Sequence, residues 1–448
     1  MTTLTPRAGW WRASSDEDGD SHGSLAPTDP SAPQPSAAPF WALMALTVIL
    51  FLAPQSLFPA LAPLRIGLIA AVLGIVTHLV DRFRRGQPFT IPPRELLIAL
   101  ALGAWALLMV PLSLWPGGSL AFLHNMYLKT FVIFWLLIGV VCTPARLVRV
   151  AWALSLIACP IGLTAVRHFL TGQFVDMNIH VKRIVGFEAP LTQNPNDLAL
   201  ILNMILPLTV ALFLLERRPV ARGVLLASIL LGITGVVATF SRTGFLTLAT
   251  IILAYLVKLR GRPERRFAWA LLVLALLGTP FLPSGYLDRL DTIADVSADS
   301  TGSAQARARD MLAAATYVLR HPIVGTGAGM GALGLNQVRG DTWSVVHNSY
   351  LEYAVDLGVP GLLMFLFLVV SSVRCTVLAQ RRMAGVPAFR ELFHLAEGLQ
   401  ISLVAFALAA ANFQPGGYNV TFYFFAGLAI ALQGLDVGDA RRVGVQTR

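Results

Sequence analysis

Long apolar runs separated by short polar segments organise this chain, with no sustained alternation of apolar and polar positions. Runs of about 18 or more apolar residues predict helices that span a bilayer. We predict twelve such spans, with ends defined to within about four residues. They cover residues 40–58, 64–81, 95–115, 126–142, 147–167, 197–216, 221–240, 243–257, 267–284, 360–378, 397–413 and 418–435.

The spans divide the chain into five parts. Residues 1–39 are rich in Pro, Ser and Asp, which predicts a disordered tail. Spans one to nine occupy residues 40–284, and spans ten to twelve occupy residues 360–435. A large loop, residues 285–359, lies between them, and residues 436–448 form a second tail. The predicted fold class is therefore all-α, a polytopic membrane protein with about twelve transmembrane helices.

Composition and charge support a membrane protein and give its orientation. Charged residues make up 13% of the chain, whereas about 25% is usual for a soluble protein. The net charge of +10 comes from short basic clusters between apolar runs, which argues against nucleic acid. Since 23 of the 34 Lys and Arg residues lie in the tails and in alternate loops, these segments are predicted to be cytoplasmic. Both termini then lie in the cytoplasm, and loops 168–196 and 285–359 face the periplasm.

The large external loop contains two recognisable local patterns. Ser303 to Arg320 predicts an amphipathic helix at the membrane surface, which Ser303 can cap. Its apolar side comprises Met311, Leu312, Ala315, Val318 and Leu319. The glycine-rich segment Gly325–Gly331 follows no strand, so it favours a tight turn or a close approach to a bound anion over a dinucleotide site.

Positive charges on the outer side run against the usual charge bias, so each is a candidate ligand for an anion. Arg242 lies where the seventh and eighth spans nearly touch, and it would either bind an anion or reach headgroups or a carboxylate. Lys129, buried in the outer part of the fourth span, would contact substrate or extend to the interface. His347 ends the large loop and would share a helix face with Tyr350 and Leu351.

Any diphosphate bound on the outer side is predicted to meet arginines and no metal ion. The external loops contain no HExxH, paired CxxC or Asp-x-Asp pattern, and the short loop 59–63 has no carboxylate. Arginine suits the task because its planar fork binds phosphate through two hydrogen bonds and stays charged. The sequence therefore predicts neither a metal nor a cofactor.

Several short motifs follow one another on the predicted outer side. They are Arg183–Phe187, Asn194–Ala199, Ser241–Gly244, Arg307, His321–Gly327, His347–Glu352 and Gly358–Gly361. Their order and the large loop together resemble the O-antigen ligase and polymerase family of bacterial inner-membrane proteins. The resemblance covers about residues 180–365, and the N-terminal spans match only in hydropathy.

The resemblance implies a fold related to the C-type membrane glycosyltransferases and a metal-independent, inverting reaction. In that reaction a glycan moves from undecaprenyl diphosphate to an acceptor hydroxyl, such as that of lipid A–core, with membrane lipids as further partners. By the same resemblance, Arg242 and Arg307 would bind the diphosphate, with Arg183 as a third ligand, and His347 would be the acceptor's base. Four residues would give support: Asn196, Asn348, Tyr350 and Lys129.

Some points stay open at this stage. Arg309 could replace Arg307 if the helix were rotated, and Met311 stands where the family often has an aromatic residue. The chain could be a ligase, a polymerase of carrier-linked repeats or a protein O-oligosaccharyltransferase. A twelve-helix transporter is disfavoured because only the short link Glu216–Arg222 joins spans six and seven. A non-catalytic scaffold would leave Arg242, Arg307 and His347 unexplained.

Overall fold

The computed structural model describes residues 35–86, 92–175, 183–278, 286, 290, 302–411 and 420–435, and helices dominate it. Every predicted span overlaps a helix in this part of the chain. Seven helices are long and apolar enough to cross a membrane: Pro59–Arg84, Pro116–Val140, Pro144–Leu170, Pro195–Leu215, Pro219–Ala238, Ser349–Met383 and Pro387–Ala410. The all-α, polytopic membrane class is thus confirmed, whereas the number of spans stays a prediction.

The elements are numbered here in chain order. The first helices are α1 (Ala37–Leu52), α2 (Pro54–Leu57), α3 (Ile66–Arg84), α4 (Arg94–Leu108), α5 (Pro116–Phe122), α6 (Leu128–Val140) and α7 (Pro144–Leu170). Two strands follow, β1 (Phe174–Val175) and β2 (Arg183–Ile184). The remaining helices are α8 (Pro195–Leu215), α9 (Pro219–Ala238), α10 (Arg242–Lys258), α11 (Arg265–Gly278), α12 (Ser303–Arg320), α13 (Gly331–Arg339), α14 (Ser349–Met383), α15 (Arg390–Ala410) and α16 (Val420–Gly434).

Some predicted segments fall wholly or partly outside the described residues. The tail 436–448 and nearly all of the tail 1–39 do so, as do parts of the loops 168–196 and 285–359. The described end of the first tail is already helical, because α1 begins at Ala37. The predicted Ser303–Arg320 helix has those same bounds, although Gly302 takes the N-cap position expected of Ser303.

The core of the bundle is built around α8, whose side chains are almost all buried. It packs against α7, α9, α10 and α15. Gly398 on α15 lets α8 approach closely, because a Cβ at that position would lie 2.8 Å from the Pro207 carbonyl oxygen. The hydroxyl of Ser402 donates to the Met204 carbonyl at 2.7 Å. These contacts fix α15 against the central helix and so fix the ends of both.

A sharp kink divides α14 near its start. Gly358 has a φ of 70°, a left-handed conformation that glycine adopts without steric cost, and Pro360 follows it. A Cβ on Gly358 would lie 2.3 Å from the Ile323 carbonyl oxygen. The indole Nε1 of Trp105 donates to the Leu357 carbonyl at 2.9 Å, and the backbone N–H of Val359 donates to Pro322 at 2.7 Å. The kink thereby joins α4 and the segment after α12 to α14.

A buried ion pair joins the turn after α10 to α15. Both guanidinium nitrogens of Arg262 donate to the Glu397 carboxylate, at 2.7 and 2.5 Å. Each residue is only 4% exposed. Lys258 lies 3.8 Å from the same carboxylate, and the Arg262 guanidinium lies over the Phe393 ring at 5.2 Å. Glu397 therefore lies between Arg262 and Lys258. Its negative charge offsets the repulsion between these two cations and joins the end of α10 to the start of α15.

Replacing Glu397 with alanine is expected to lower the free energy of unfolding by about 3–5 kcal/mol, because the buried Arg262 charge would lose its partner. Thermal unfolding of the purified protein in detergent measures the effect as a lower Tm. Glu264→Ala is the matched control, since Glu264 pairs with the exposed Arg390 and such pairs contribute little. Equal Tm values for the two variants would contradict the structural role assigned to Glu397.

Candidate functional site

A short hairpin positions Arg183. Strands β1 and β2 pair antiparallel, with Val175 opposite Arg183 and Phe174 opposite Ile184. The Nδ1 atom of His168, near the end of α7, hydrogen-bonds to the Val185 carbonyl oxygen at 2.6 Å. This hairpin is an addition to the all-α prediction, since two-residue strands leave no periodic pattern in the sequence. It holds Arg183 against the start of α8.

Asn196 in the first turn of α8 connects two of the predicted site segments. The Asn194 side chain caps the helix by accepting from the Asn196 backbone N–H at 2.9 Å, and Pro195 suits the first helical position. The side-chain oxygen of Asn196 accepts from Arg183 Nη2 at 2.7 Å and from the Ser241 hydroxyl at 2.8 Å. One amide oxygen therefore joins Arg183 to Ser241, which lies 45 positions after Asn196 in the chain.

Ser241 and Arg242 form the start of α10, where the chain reverses after α9. Phe240 has a φ of 51°, and this left-handed residue turns the chain between the two helices. The Ser241 hydroxyl caps α10 by accepting from the Gly244 N–H at 3.1 Å. Arg242 is then the first helical residue and is only 9% exposed. Its charge and the positive end of the helix dipole both favour an anion here.

His347 lies in a second group of residues, held by a charged cluster. Arg339, the last residue of α13, forms an ion pair with Asp310 of α12 and also donates to the Ser344 carbonyl at 2.6 Å. The Ser344 hydroxyl donates to the other Asp310 oxygen at 2.7 Å. The segment that leads to His347 is therefore tied to Asp310 of α12 directly by Ser344 and indirectly through Arg339.

The hydrogen bond of the His347 ring identifies its proton-accepting nitrogen. Nδ1 lies 3.1 Å from the Val345 carbonyl oxygen. A carbonyl only accepts, so Nδ1 carries the hydrogen in the neutral ring, and Nε2 keeps its lone pair. Burial lowers the pKa of His347 from its ordinary value, and the positive charge of Arg307 lowers that pKa further. The ring is thus poised as a neutral base at neutral pH.

Of the two candidate arginines on α12, Arg307 is half-buried and its charge acts on His347, whereas Arg309 is exposed. The side of α12 that packs on the protein carries Asp310, Ala313, Ala314 and Tyr317. Leu312 and Leu319 of the predicted apolar side point away from it, at 70% and 83% exposed. That outward apolar side is the one expected to face the membrane surface.

Asn348 and Tyr350 anchor the start of α14 to the end of α15. The Asn348 oxygen caps α14 by accepting from the Leu351 N–H at 3.1 Å, and its amide nitrogen donates to the Ala411 carbonyl at 3.0 Å. The Tyr350 hydroxyl donates to the Ala407 carbonyl at 2.8 Å. Both residues therefore position His347, which directly precedes Asn348.

The two groups of residues lie at the same end of the bundle, here named the loop end. It is the end where α8 and α10 begin at Pro195 and Arg242, and where α15 finishes at Ala410. Both α8 and α10 pack on α15, and Asn348 joins the finish of α15 to the segment of His347. The loop end thus carries three arginines and one neutral histidine from widely separated parts of the chain.

Lys129 takes no part in these contacts and was predicted wrongly as a buried residue. It lies in the first turn of α6 and is exposed. The buried side of α6 is formed by Thr130, Ile133, Phe134 and Leu137. Position 129 lies about 100° round the helix from Thr130, which turns its side chain to the outside of the bundle.

The glycine-rich segment Gly325–Gly331 forms a tight turn around the α14 kink. The Asp356 carboxylate accepts from the Gly329 N–H at 2.6 Å and from the Thr326 hydroxyl at 3.3 Å. A Cβ on Gly327 would lie 2.0 Å from the Ser113 hydroxyl oxygen. The close approach that these glycines permit is to the protein itself, which explains their spacing without a dinucleotide.

Sequence reasoning missed the acidic and polar residues that hold the site. Asp310 and Asp356 lie inside helical segments and carry no motif of their own, and Ser113 lies far from the motifs. The sequence carried a weak signal for Asp310, which follows Arg307 and Arg309. Arg339 lies on the same predicted outer side and required a carboxylate partner there. Hydropathy cannot pair residues that lie 29 positions apart, as Asp310 and Arg339 do.

The fold and the site define a helical membrane protein with arginines and a neutral histidine at one end of its bundle. The family model described as O-antigen ligase (Wzy_C) matches residues 226–366. This match confirms the family resemblance, and it contains Arg242, Arg307 and His347, whereas Arg183 and Asn196 precede it. No curated protein matches the chain.

Proposed function

We propose that this protein transfers a glycan from undecaprenyl diphosphate to an acceptor hydroxyl, with lipid A–core as the acceptor. Transfer takes place on the periplasmic side of the bacterial inner membrane. An O-antigen ligase-like function agrees with the family match. The observation that carries the finer proposal is the shared contact of Asn196 with Arg183 and Ser241, which places two arginines at the start of α8 and α10.

The arginines would act on the leaving group. As the acceptor oxygen bonds to the anomeric carbon, the bond from that carbon to the diphosphate breaks, and negative charge builds on the departing oxygen. Arg242 and Arg183 stabilise that charge, because fixed donors need not reorganise during the reaction. Arg307 is the third cation, on the side of His347. Attack opposite to the leaving group inverts the anomeric centre.

His347 would take the proton from the acceptor hydroxyl. The hydrogen bond to Val345 directs Nε2 away from its own backbone, and the lowered pKa keeps Nε2 unprotonated. The proton passes to Nε2 as the oxygen attacks, and the resulting imidazolium then releases it to water. A base of this kind contributes roughly 10²–10⁴ in rate.

Reconstitution tests the proposal directly. Purified protein in liposomes receives an undecaprenyl diphosphate carrier with a labelled glycan, together with lipid A–core. We expect label on lipid A–core and release of undecaprenyl diphosphate. Label that lengthens the carrier-linked glycan would show a polymerase instead. Label that only crosses the bilayer would show a transporter, and no reaction with any acceptor would overturn the proposal.

Transfer is expected to continue at an unchanged rate after treatment with EDTA, because arginines supply the positive charge that a metal would otherwise provide. The measurement compares initial rates before and after chelation, with a metal-dependent glycosyltransferase as the positive control for chelation. Loss of activity with recovery on adding Mg²⁺ or Mn²⁺ would contradict the assignment of the diphosphate to Arg242, Arg307 and Arg183.

Arg307→Gln is expected to move the acid limb of the pH–rate profile to higher pH, besides lowering the rate. The positive charge of Arg307 lowers the pKa of His347, so its removal raises that pKa. Activity is lost as pH falls through the pKa of the base, and the loss therefore begins at a higher pH in the variant. Arg309→Gln is the control, because Arg309 is exposed, and an unshifted limb in both variants would contradict the role of His347.

A further inference from the structure

A cavity of about 930 Å³ opens at the end of the bundle opposite to the loop end. It is lined by the N-terminal end of α4, the C-terminal ends of α6 and α16, and the second half of α14. Arg242, Arg307 and His347 do not line this cavity, so the proposed transfer reaction does not account for it.

One wall of the cavity is an apolar stripe on α14. Leu363, Phe367 and Val370 recur at helical spacing on the lining of the cavity. Their side chains are 60%, 42% and 64% exposed, so the stripe continues from the cavity to the outside of the bundle. In a membrane-embedded helix, such a stripe lies against hydrocarbon chains. The cavity is therefore open to lipid along its apolar wall.

The other end of the cavity is positively charged. Arg94, Arg374 and Arg382 line it and are exposed. Within the part of the chain that the structure describes, Arg94 and Arg374 have no hydrogen-bond or ion-pair partner, while Arg382 donates to the Gln433 carbonyl at 3.2 Å. Glu95 is the only carboxylate among the described lining residues, and it accepts from the Ser371 hydroxyl and the Cys375 thiol. The cavity mouth thus has a net positive charge.

The spacing of these two features matches the depth of a phospholipid. Arg374 lies about 16 Å beyond Leu363 along α14 at 1.5 Å per residue, which is about half of a hydrocarbon core that is about 30 Å thick and so about the length of one set of acyl chains. Leu363, Phe367 and Val370 occupy the intervening depth. A headgroup phosphate at Arg374 would leave its acyl chains beside the apolar stripe.

We propose that this cavity binds an anionic phospholipid of the surrounding bilayer. The phosphodiester and a second polar or anionic headgroup element contact Arg94, Arg374 and Arg382, and the acyl chains lie on Leu363, Phe367 and Val370. Arginine is suited to this contact because its guanidinium binds phosphate oxygens in pairs. A bound lipid would fill the gap between α4, α6, α14 and α16 and so support their packing.

Native mass spectrometry of the full-length protein tests this inference. The probes are phosphatidylglycerol and phosphatidylcholine with identical acyl chains. We expect retained phosphatidylglycerol adducts in the unaltered protein. The variant with Arg94→Ala, Arg374→Ala and Arg382→Ala should bind phosphatidylglycerol about 100-fold more weakly, at roughly fivefold per arginine. The control with Arg84→Ala, Arg260→Ala and Arg265→Ala removes the same charge from exposed positions outside the cavity and should retain the lipid.

A second variant tests the contribution of the apolar wall without changing the charge. Val370→Trp fills the stripe and leaves every arginine in place, so it should also lose the adduct while the protein keeps its Tm without lipid. Equal retention of both lipids by the unaltered protein would overturn the inference, as would equal loss in the two triple variants. Preferential binding of undecaprenyl phosphate over phosphatidylglycerol would also overturn it, because the occupant would then be the carrier lipid.

Discussion

Replacing His347 with alanine is expected to lower the rate of glycan transfer by about 10²–10⁴ fold. The loss follows from the absence of a proton acceptor at the acceptor hydroxyl. The fold should survive, because His347 precedes α14 and its one described hydrogen bond is to its own neighbour, Val345. Initial rates with the labelled lipid-diphosphate donor measure the effect, and the Tm of the variant confirms that it is folded.

The pH profile of the same variant gives a sharper test than the rate alone. Without the ring at position 347, the residual activity should lose the acid limb that a titrating base produces. His124→Ala is the matched control, since His124 is an exposed histidine on another segment and should keep both rate and profile. Full activity of His347→Ala with an unaltered profile would remove His347 from the mechanism.

Replacing Arg242 with alanine is expected to lower kcat by about 10²–10³ fold, as the loss of one fixed donor to a developing negative charge does in other enzymes. The kcat of Arg242→Lys should lie between those of Arg242→Ala and the unaltered protein, because lysine keeps the charge but loses the planar fork. Because the stabilised charge develops in the transition state, kcat should fall more than the donor KM rises.

Arg320→Ala provides the control for Arg242. Arg320 is an exposed arginine at the finish of α12, near the same end of the bundle, and its removal changes the net charge equally. Transfer should proceed normally in that variant. If Arg242→Ala and Arg320→Ala behaved alike, general electrostatic attraction of the donor would explain the effect better than a specific contact.

Apolar run length carried most of the fold prediction. Bilayer spans need about 20 apolar residues, so each predicted span overlaps a helix, and even the near-contact at Ser241 proved to be a helix reversal. The interruptions were harder to predict. The α14 kink depends on Gly358 meeting the Ile323 carbonyl, and the β1–β2 hairpin depends on pairing across seven intervening residues. Neither contact leaves a trace in hydropathy.

Residue types and motif order predicted which residues belong to the candidate site. They did not predict the hydrogen bonds that connect those residues. Arg183, Asn196 and Arg242 were named separately, yet only the structure shows one amide oxygen accepting from both Arg183 and Ser241. Lys129 was misjudged because a span gives no information on which side of a helix packs. The roles proposed for these residues in glycan transfer stay predictions until variants are measured.

The contacts that hold the Gly358 kink limit how far the protein can be shortened. Asp356 holds the glycine-rich turn, and that turn contacts Ser113, while Trp105 donates to Leu357. Residues 226–366 alone would thus lack two of the supports of their own kink, along with the asparagine that orders the start of α10. Excising the matched segment as an independent unit should therefore yield an insoluble or misassembled fragment.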